Sequence, residues 1–351
     1  MSVVINGDFL CRNLTGIERF AFETCSRLDN LIRKDEVTIY VPSNAQTIPQ
    51  WKNIKIIRSD KDCRFFPKWE HFEFSAFCKK NRCIPLDFAN VTPYFNPGIV
   101  FIHDIYAKLY PNDFKGKKDR LIRLYMCMMY RRAAKKAKQI ISVSNFSKNQ
   151  LCSLYKVDEQ KVSVIYNGWE HFSLIKEDKG IFSRFPSLKE KEFFFTLGSL
   201  QKRKNLKWIC DYARKHPDQV FAVSGKAISG MVSDDIKVLQ TLQNVVLLGY
   251  VSDEEVKALM SKCKAFLFPS YYEGFGIPPL EALSCGAQII ISKASCLPEL
   301  YKDCAHYIDP FSTDIDLNEL LKEKISSADL LLKTYSYQKA AEDLLKIIRQ
   351  F

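Results

Sequence analysis

The sequence lacks long hydrophobic runs. None of its apolar stretches reaches the roughly 18 to 20 uninterrupted residues that a membrane-spanning helix requires. The first residues, MSVVINGD, contain only a short apolar run, which is too little for a secretory signal and leads directly into a predicted strand. We therefore expect a cytoplasmic protein without a membrane span.

Patterns typical of metal sites and disulfide frameworks are also missing. The twelve cysteines are scattered without a Cys-x-x-Cys pair, and the five histidines form no His-x-x-x-His motif. Reduced cysteines are usual in the cytoplasm. Neither a disulfide framework nor a metal site is expected from this pattern.

Acidic residues are scarce relative to basic ones, so the formal net charge is +12 over 351 residues. This length corresponds to about two domains, and an apolar fraction of 47% is enough for ordinary cores. The positive excess is compatible with three kinds of partner, namely nucleic acid, an anionic membrane surface or an anionic small substrate.

The positive charge is concentrated over 115–138, where ten Lys or Arg residues accompany a single acid, Asp119. Leu, Ile, Met and Tyr residues are interleaved with them, which predicts a helix with a broad apolar side. Two interpretations remain open, a core helix with solvated basic ends and a surface for anionic lipid. Nucleic acid is not favoured, because no nucleic-acid-binding motif accompanies the segment.

Short apolar runs alternate with helical segments along the whole chain, which is typical of α/β domains with parallel sheets. Strands are predicted at 3–5, 37–41, 54–57, 85–89, 99–103, 139–144, 162–167, 193–198, 220–224, 245–248, 265–268 and 288–291.

Two residues that follow predicted strands are candidate binding residues. Gly16 lies at the start of a helix for which Thr15 and Glu18 have capping-box spacing, and a glycine there permits either a close ligand approach or a plain tight turn. His103 ends the predicted strand 99–103, and residues at such strand ends line the ligand crevice of open α/β sheets. A single histidine also commonly has a structural role.

The stretch 272–286, YEGFGIPPLEALSCG, dominates the second half of the chain. It follows the predicted strand 265–268 and contains a glycine-rich turn. Pro278 and Pro279 suit the first turn of a helix, and Gly286 ends that helix. A strand, a glycine turn and a helix N-terminus together predict an anion site, because backbone N–H groups and the positive end of the helix dipole face the ligand.

Two carboxylates lie on either side of this turn. Glu273 is in the turn, and Glu281 is predicted in the first turn of the helix, eight positions further on. A carboxylate near a helix start often only complements the dipole. Two of them around an anion site can also accept hydrogen bonds from sugar hydroxyls.

This stretch resembles the E-x7-E signature of the family 4 glycosyltransferases, which are retaining enzymes of the GT-B fold. In that family the first Glu lies at the donor sugar and the second at the nucleotide ribose. Glu273 and Glu281 match these positions, with Gly274, Phe275 and Gly276 as the turn between them.

A second resemblance concerns GSLQKRKNL at 198–206, which is similar to the family's G-S-L-x-x-R-K-N-L. The family uses this Lys, often with the Arg, to neutralise the donor diphosphate, which implies that role for Lys204 and Arg203. Ser199 is a departure, because many relatives have Arg there.

The first half of the chain carries weaker resemblances. His103 with the Asp that follows it resembles the family's HD segment, whose His contacts the donor sugar. Gly16 corresponds to a loop that faces the donor diphosphate and the acceptor. VIYNG at 164–168 resembles a V-x-x-N-G motif at the end of the family's N-terminal domain.

The resemblance implies a GT-B fold, with two Rossmann-like domains facing a cleft. The acceptor-side domain is expected over 1–170 and the nucleotide-sugar-binding domain over 171–335. A C-terminal helix over 336–351 is expected to return to the first domain. The charged segment 173–191 is interpreted as an irregular linker.

The implied activity is a retaining, metal-independent transfer of a hexose from a nucleotide-sugar, with His103, Lys204 and Glu273 as catalytic residues and no cofactor. The D-x-D tripeptides at 60–62 and 314–316 are not assigned to a metal, because such tripeptides are common by chance and neither is in a recognisable donor context.

The segments TGIERF and EGFGIPPLEA look most like relatives that handle mannose or deoxyhexoses, which favours GDP-mannose and leaves UDP- and dTDP-sugars open. The expected acceptor is a glycan or a polyprenyl-linked oligosaccharide at the cytoplasmic face of the membrane, where 115–138 can meet anionic lipid. Three alternatives are a GT-B nucleotide-sugar epimerase, a non-catalytic nucleotide-sugar-binding subunit at the membrane, and a basic nucleic-acid binder.

Overall fold

The computed structural model describes residues 2–14, 16–197, 201–225 and 234–351. The chain forms two units, each built around its own parallel sheet. The first unit comprises Met1–Gly168 together with Tyr335–Phe351, and the second comprises Trp169–Thr334.

The sheet of the first unit has the strand order β3-β2-β1-β4-β5-β6-β7, with all neighbours parallel. Its strands are β1 (Val3–Asn6), β2 (Thr38–Val41), β3 (Lys55–Arg58), β4 (Ile84–Asp87), β5 (Ile99–Ile102), β6 (Gln139–Ser142) and β7 (Val162–Val164). Consecutive residues of β1, β4 and β5 are all buried, as expected for parallel strands that are covered on both faces.

Helices connect these strands. They are α1 (Ile17–Leu28), α2 (Phe66–Lys68), α3 (Ser75–Lys80), α4 (Tyr106–Leu109), α5 (Lys117–Lys136) and α6 (Asn145–Tyr155), and a π-helical segment (Trp69–Phe74) joins α2 to α3. Gly16 is the N-cap of α1, with φ of 49°. The predicted capping box cannot be described, because Thr15 lies outside the described residues.

The sheet of the second unit has the order β10-β9-β8-β11-β12-β13, again with all neighbours parallel. Its strands are β8 (Phe193–Leu197), β9 (Val220–Ser224), β10 (Val245–Gly249), β11 (Ala265–Phe268), β12 (Ile289–Ser292) and β13 (His306–Ile308). Its helices are α7 (Glu170–Ser173), α8 (Ile181–Arg184), α9 (Ser187–Glu190), α10 (Leu206–Lys215), α11 (Asp234–Leu239), α12 (Asp253–Lys262), α13 (Ile277–Ser284), α14 (Leu297–Tyr301), α15 (Leu317–Leu320) and α16 (Asp329–Thr334).

The segment 173–191 is not the irregular linker that the sequence predicts. It belongs to the second unit and contains α8 and α9. Ile181, Phe182 and Leu188 are buried there. These three apolar side chains attach the segment to the second unit. The many charged residues around them hide the helical spacing in the sequence.

The last helix, α17 (Tyr337–Ile348), returns to the first unit and packs against α1. Ser336 caps it by accepting a hydrogen bond from the backbone N–H of Lys339, and Leu344 is fully buried on its apolar side. The predicted return of a C-terminal helix to the first domain is confirmed. Within the described ranges, no helix is both long enough and apolar enough to cross a membrane.

Candidate active site

The candidate site lies at the carboxyl ends of β8 and β11. These two strands are neighbours at the point where the strand order of the second sheet reverses. Ligands of open α/β sheets bind in the crevice at such a switch point. The segments 201–205 and 269–276 follow these strands, so the topology brings both predicted motifs to one edge of the sheet.

Asn205 fixes the loop after β8. Its backbone is left-handed, with φ of 59°, and it serves as the N-cap of α10. Its side-chain amide donates hydrogen bonds to the carbonyl oxygens of Pro269 (3.0 Å) and Pro310 (2.7 Å). The loop that carries Arg203 and Lys204 is thereby tied to the loop after β11. Residues 198–200, including the Ser199 departure, lie outside the described ranges.

Glu273 is the centre of a buried ion cluster. Its Oε1 accepts hydrogen bonds from Lys204 Nζ (2.7 Å) and Ser270 Oγ (2.6 Å), and its Oε2 accepts one from an Arg203 guanidinium nitrogen (2.9 Å). Lys204 Nζ also lies 4.8 Å from the ring centroid of Phe268. Two cations and one carboxylate leave the cluster with a net charge of about +1, which suits an anionic ligand.

The cluster keeps Glu273 ionised. Burial by itself would raise the pKa of this carboxyl, but the adjacent Arg203 and Lys204 cations and the hydrogen bonds hold its pKa below the ordinary value. The carboxylate in turn holds both cations in fixed positions, because a buried charge is stable only when it is paired and hydrogen-bonded.

The turn between Glu273 and α13 is held by the segment that enters α14. The Ser295 hydroxyl accepts a hydrogen bond from the Glu273 backbone N–H (3.1 Å), and Cys296 Sγ donates to the carbonyl oxygens of Glu273 (3.2 Å) and Phe275 (3.3 Å). The Tyr301 hydroxyl donates to the carbonyl of Gly276. Sequence reasoning missed these supporting residues, and no motif signal identifies them.

Gly276 is required by its conformation. It is the N-cap of α13 in the left-handed region, with φ of 85°, and a Cβ atom there would lie 2.8 Å from Leu297 Cδ2. Gly274 and Phe275 complete the turn, as the motif predicts.

The sequence predicts Glu281 in the first turn of its helix, and this prediction is wrong. The helix α13 begins at Ile277, which places Glu281 in the second turn. The N-terminal dipole therefore does not explain this carboxylate, because its effect fades within the first turn. Pro278 and Pro279 also have no N–H to offer an anion.

Glu281 has a side-chain partner that the sequence did not indicate. His171 of α7 places Nε2 3.1 Å from Glu281 Oε1, and both side chains are largely buried. A histidine on a short helix at the start of the second unit carries no local pattern, so only the tertiary structure identifies this pair.

His103 and Gly16 belong to the first unit. His103 is buried at the end of β5, and its Nε2 donates a hydrogen bond to the carbonyl of Phe88 (2.7 Å). Burial lowers the pKa of His103, so the neutral ring with the proton on Nε2 is favoured. Phe20, one turn into α1 from Gly16, packs edge-on against His103 with centroids 5.6 Å apart.

The D-x-D tripeptides have ordinary surface roles. Asp60 is exposed and pairs with Lys61 at 3.0 Å, and Asp316 is the N-cap of α15. Among the residues that the structure describes, no three His, Cys, Asp or Glu side chains form a group that could hold a metal ion.

Two family profiles match the chain, one in each half. The profile of Glycosyltransferase Family 4 matches residues 14–171, and that of Glycosyl transferases group 1 matches residues 178–344.

Curated relatives include bacterial mannosyltransferases. The O-antigen chain mannosyltransferase RfbU of Salmonella typhimurium is 31% identical over 222 residues, which cover 62% of this chain and 58% of that protein. The O-antigen chain mannosyltransferase B of Escherichia coli is 27% identical over 207 residues, which cover 56% and 54%. The matched segments thus span little more than half of these relatives.

Solved structures share the fold over the full length. Sucrose-phosphate synthase from Thermosynechococcus elongatus has a TM-score of 0.75 at 14% identity, covering 100% of this chain and 99% of that one. WaaG, a glycosyltransferase involved in lipopolysaccharide biosynthesis, has a TM-score of 0.66 at 17% identity, covering 99% and 95%. At these identities the likeness establishes the fold alone, which is the predicted GT-B fold. Because the two family profiles account for both of its halves, the chain belongs to the glycosyltransferases, with a family 4 domain followed by a group 1 domain.

Proposed function

We propose that this chain transfers a hexose from a nucleotide-sugar to a glycan acceptor in the assembly of a surface polysaccharide. The observation that carries the proposal is the buried cluster of Arg203, Lys204 and Glu273 at the switch point of the second sheet. Its residual positive charge is placed where the loops after β8 and β11 meet, which suits a diphosphate.

Cleavage of a nucleotide-sugar builds negative charge on the departing diphosphate while the sugar becomes oxocarbenium-like. Lys204 and Arg203 are already oriented by Glu273, so they can stabilise that charge without reorganising. Removal of one such preorganised donor typically costs about 10²- to 10³-fold in kcat. Glu273 also lies at the donor sugar in this proposal, as the first Glu of the family signature does.

We further propose that turnover is metal-independent and retains the anomeric configuration. In this scheme the acceptor hydroxyl attacks from the face that the leaving group occupies, and the donor's own phosphate takes the hydroxyl proton. His103 contacts the donor sugar as a neutral ring in this scheme, because its Nε2–H donates a hydrogen bond to the Phe88 carbonyl and its Nδ1 is left as an acceptor. Metal independence predicts full activity in EDTA. Retention is tested by NMR, which identifies the anomer of the product.

The donor that we favour is GDP-mannose or the nucleotide derivative of a deoxyhexose. The support is the resemblance of the sequence motifs and the description of several relatives as mannosyltransferases. Glu281, held by His171, is assigned to the ribose hydroxyls.

The acceptor that we propose is a glycan carried on a polyprenyl lipid at the inner face of the plasma membrane. The segment 115–138 supports this location, because most of its basic side chains are exposed and can meet anionic headgroups. The exposed ones are Lys115, Lys117, Lys118, Arg120, Arg131, Lys135, Lys136 and Lys138.

The decisive experiment compares Lys204→Ala with a matched control, Lys207→Ala. Lys207 lies three residues away on the surface of α10, where its side chain is 69% exposed and pairs with Asp211. Donor hydrolysis and transfer are measured with GDP-, UDP- and dTDP-sugars, and binding of each nucleotide is measured by thermal shift. We expect Lys204→Ala to lose about 10²- to 10³-fold in turnover and the control to match the wild type.

The same experiment separates the enzyme from its main alternative. A wild-type protein that binds one nucleotide but neither hydrolyses nor transfers any donor is a non-catalytic binding subunit. A wild-type protein that shows no thermal shift with any nucleotide contradicts the donor site itself, because a ligand at about 100 times its Kd stabilises the fold by about 2.7 kcal/mol.

A further inference from the structure

The exposed side of α5 is apolar in its middle and basic at both ends. Positions 117, 121, 124, 128, 131 and 135 follow the helical spacing of four, three, four, three and four, so they form one row along the helix. Leu121, Leu124 and Met128 in the centre of this row are 68%, 57% and 46% exposed. Lys117 lies at one end of the row, and Arg131 and Lys135 lie at the other.

A second group of exposed apolar side chains adjoins this row. Phe72 and Phe95 are 59% and 56% exposed, and their ring centroids lie 6.2 Å apart. Tyr94 contacts Phe95 edge-on at 5.5 Å, and Lys79 Nζ lies 5.3 Å from the Phe95 ring centroid. Aromatic rings from two separate segments, at 72 and at 94–95, are thus neighbours on the surface, and the Lys79 ammonium lies next to them.

Side-chain contacts fix the aromatic group to α5. Arg132 donates a hydrogen bond from Nε to the Tyr94 carbonyl (2.7 Å) and stacks on the Tyr94 ring at 4.6 Å. His71 Nδ1 accepts a hydrogen bond from the Tyr94 backbone N–H, so its Nε2 proton faces the Tyr125 hydroxyl at 2.9 Å. Tyr125 and Arg132 each follow a residue of the row on α5, namely Leu124 and Arg131, so these contacts place the aromatic group beside the row.

We infer that this surface, which comprises Phe72, Tyr94, Phe95, Leu121, Leu124 and Met128, inserts into the interfacial layer of an anionic bilayer. The inference deepens the proposed function, since it specifies how the enzyme would reach a lipid-carried acceptor. It differs from simple electrostatic attachment, because the apolar side chains enter the membrane while the basic residues remain at the level of the headgroups.

Charge decides between a bilayer and the other possible occupants. A second copy of this chain packed on the surface would bring Lys117, Arg131 and Lys135 against equally basic residues, which is unfavourable in an interface depleted of acids. A nucleic acid would neutralise the basic residues but leave the exposed Leu and Met side chains in water. An anionic bilayer neutralises the basic residues and also removes the apolar side chains from water, because its phosphate groups lie directly above an apolar layer.

The test uses the full-length chain and sedimentation with vesicles of equal parts phosphatidylcholine and phosphatidylglycerol. Two double variants remove apolar area, Leu121→Ser with Leu124→Ser, and Phe72→Ser with Phe95→Ser. The matched control is Leu174→Ser with Leu330→Ser, which removes two side chains of the second unit that are 80% and 76% exposed. We expect each test variant to partition about tenfold less than the wild type and the control to be unchanged.

Two further measurements isolate insertion from charge. Leu124→Trp should be quenched by brominated lipids when vesicles are added, because only a side chain below the headgroups meets the bromine atoms. Lys117→Glu with Lys135→Glu should abolish the preference for phosphatidylglycerol over phosphatidylcholine. High salt should weaken the wild type only in part if apolar burial contributes to binding.

Several results would overturn the inference. They are a wild type that does not sediment, test variants that sediment as well as the wild type, or an absence of quenching at position 124. Concentration-dependent dimers that the test variants abolish would assign the surface to self-association instead. The nucleotide thermal shift of each variant is measured in parallel, so failure of the donor site is seen separately from failure of membrane binding.

Discussion

Arg203 and Lys204 share a buried carboxylate, unlike the other basic residues whose ion pairs the structure describes. Charge alone cannot single them out, since the sequence carries 52 Lys and Arg residues. The motif named both residues, but their bonds to Glu273 depend on the adjacency of β8 and β11, which is a tertiary property.

Replacement of Glu273 by Gln should reduce the stability of the second unit. The variant keeps the shape of the side chain but leaves two cations without a counter-charge, which typically costs about 3 kcal/mol or more. We expect a lower free energy of urea unfolding for the second unit at pH 7. The control Glu319→Gln, on an exposed residue that pairs with Lys322, should leave stability nearly unchanged.

The pH dependence of this loss has a definite sign. The pKa of Glu273 is lowered in the folded state from its ordinary 4.5, so its contribution is fully present above pH 4.5. It declines as the pH falls through the lowered folded-state pKa. The difference between wild type and Glu273→Gln should therefore shrink in acid, and a difference that stays constant below pH 4.5 would contradict the ion cluster.

Gly276→Ala should destabilise the fold more than Gly286→Ala. Both glycines have positive φ, 85° and 77°, so each alanine variant suffers backbone strain of about 1 kcal/mol. Only at position 276 does the added Cβ approach another atom, Leu297 Cδ2, at 2.8 Å. Thermal unfolding of the two variants isolates this clash, and equal Tm values would argue against the described turn geometry.

Among secondary-structure elements, the buried parallel strands were the most predictable. Runs such as AFLF of β11 are apolar at every position because both faces are covered. Strand β13 was missed because only three residues pair, and one of them is His306. The helical nature of α5 was also predicted, but not that its apolar residues divide between the core, at Met129 and Tyr130, and the surface.

The docking of α17 on α1 should depend on Leu344. This side chain is fully buried, and its truncation to Ala should cost about 2–4 kcal/mol through lost apolar burial and a residual cavity. Leu330→Ala is the control, since Leu330 is 76% exposed. Chemical unfolding followed by tryptophan fluorescence, to which Trp69 in the core of the first unit contributes, reports the difference. Equal effects of the two substitutions would contradict the packing of α17.

For the molecule as a whole, the sequence predicted that the sheets are parallel and that two motifs follow strands of the second sheet. Both predictions were possible because hydrophobic periodicity and glycine turns are local signals. The partners that tune the site were not predictable. His171 meets Glu281 across a large separation in sequence, and Ser295 supports Glu273 from the loop after β12. Such contacts arise only when strands and helices are assembled.

The two units should respond to pH in opposite directions. In the first unit, burial raises the pKa of Asp8 from 3.8 to about 6, so its contribution to stability is fully present below pH 3.8 and is lost as the pH rises through about 6. The second unit loses the contribution of Glu273 in acid. Raising the pH from about 4 to about 7 should therefore weaken the first unit, whereas lowering the pH below 4.5 should weaken the second. Unfolding curves measured between about pH 3 and about pH 7 will show both effects.

Asp8→Asn tests this assignment. The amide cannot ionise, so the stability of the variant relative to the wild type should increase between pH 4 and pH 7 by up to about 3 kcal/mol. Its ion pair with Arg12, at 3.5 Å, lowers the pKa of Asp8 but does not outweigh the effect of burial. If the difference in stability between Asp8→Asn and the wild type does not change with pH, the raised pKa of Asp8 is contradicted.

The packing of α17 on α1 has a consequence for biosynthesis. A ribosome delivers the chain vectorially, and domains generally fold as they emerge. The first unit cannot bury the apolar side of α17 until all of Trp169–Thr334 has been translated. The nascent first unit therefore lacks the helix that packs on α1 until the whole of the second unit has been synthesised.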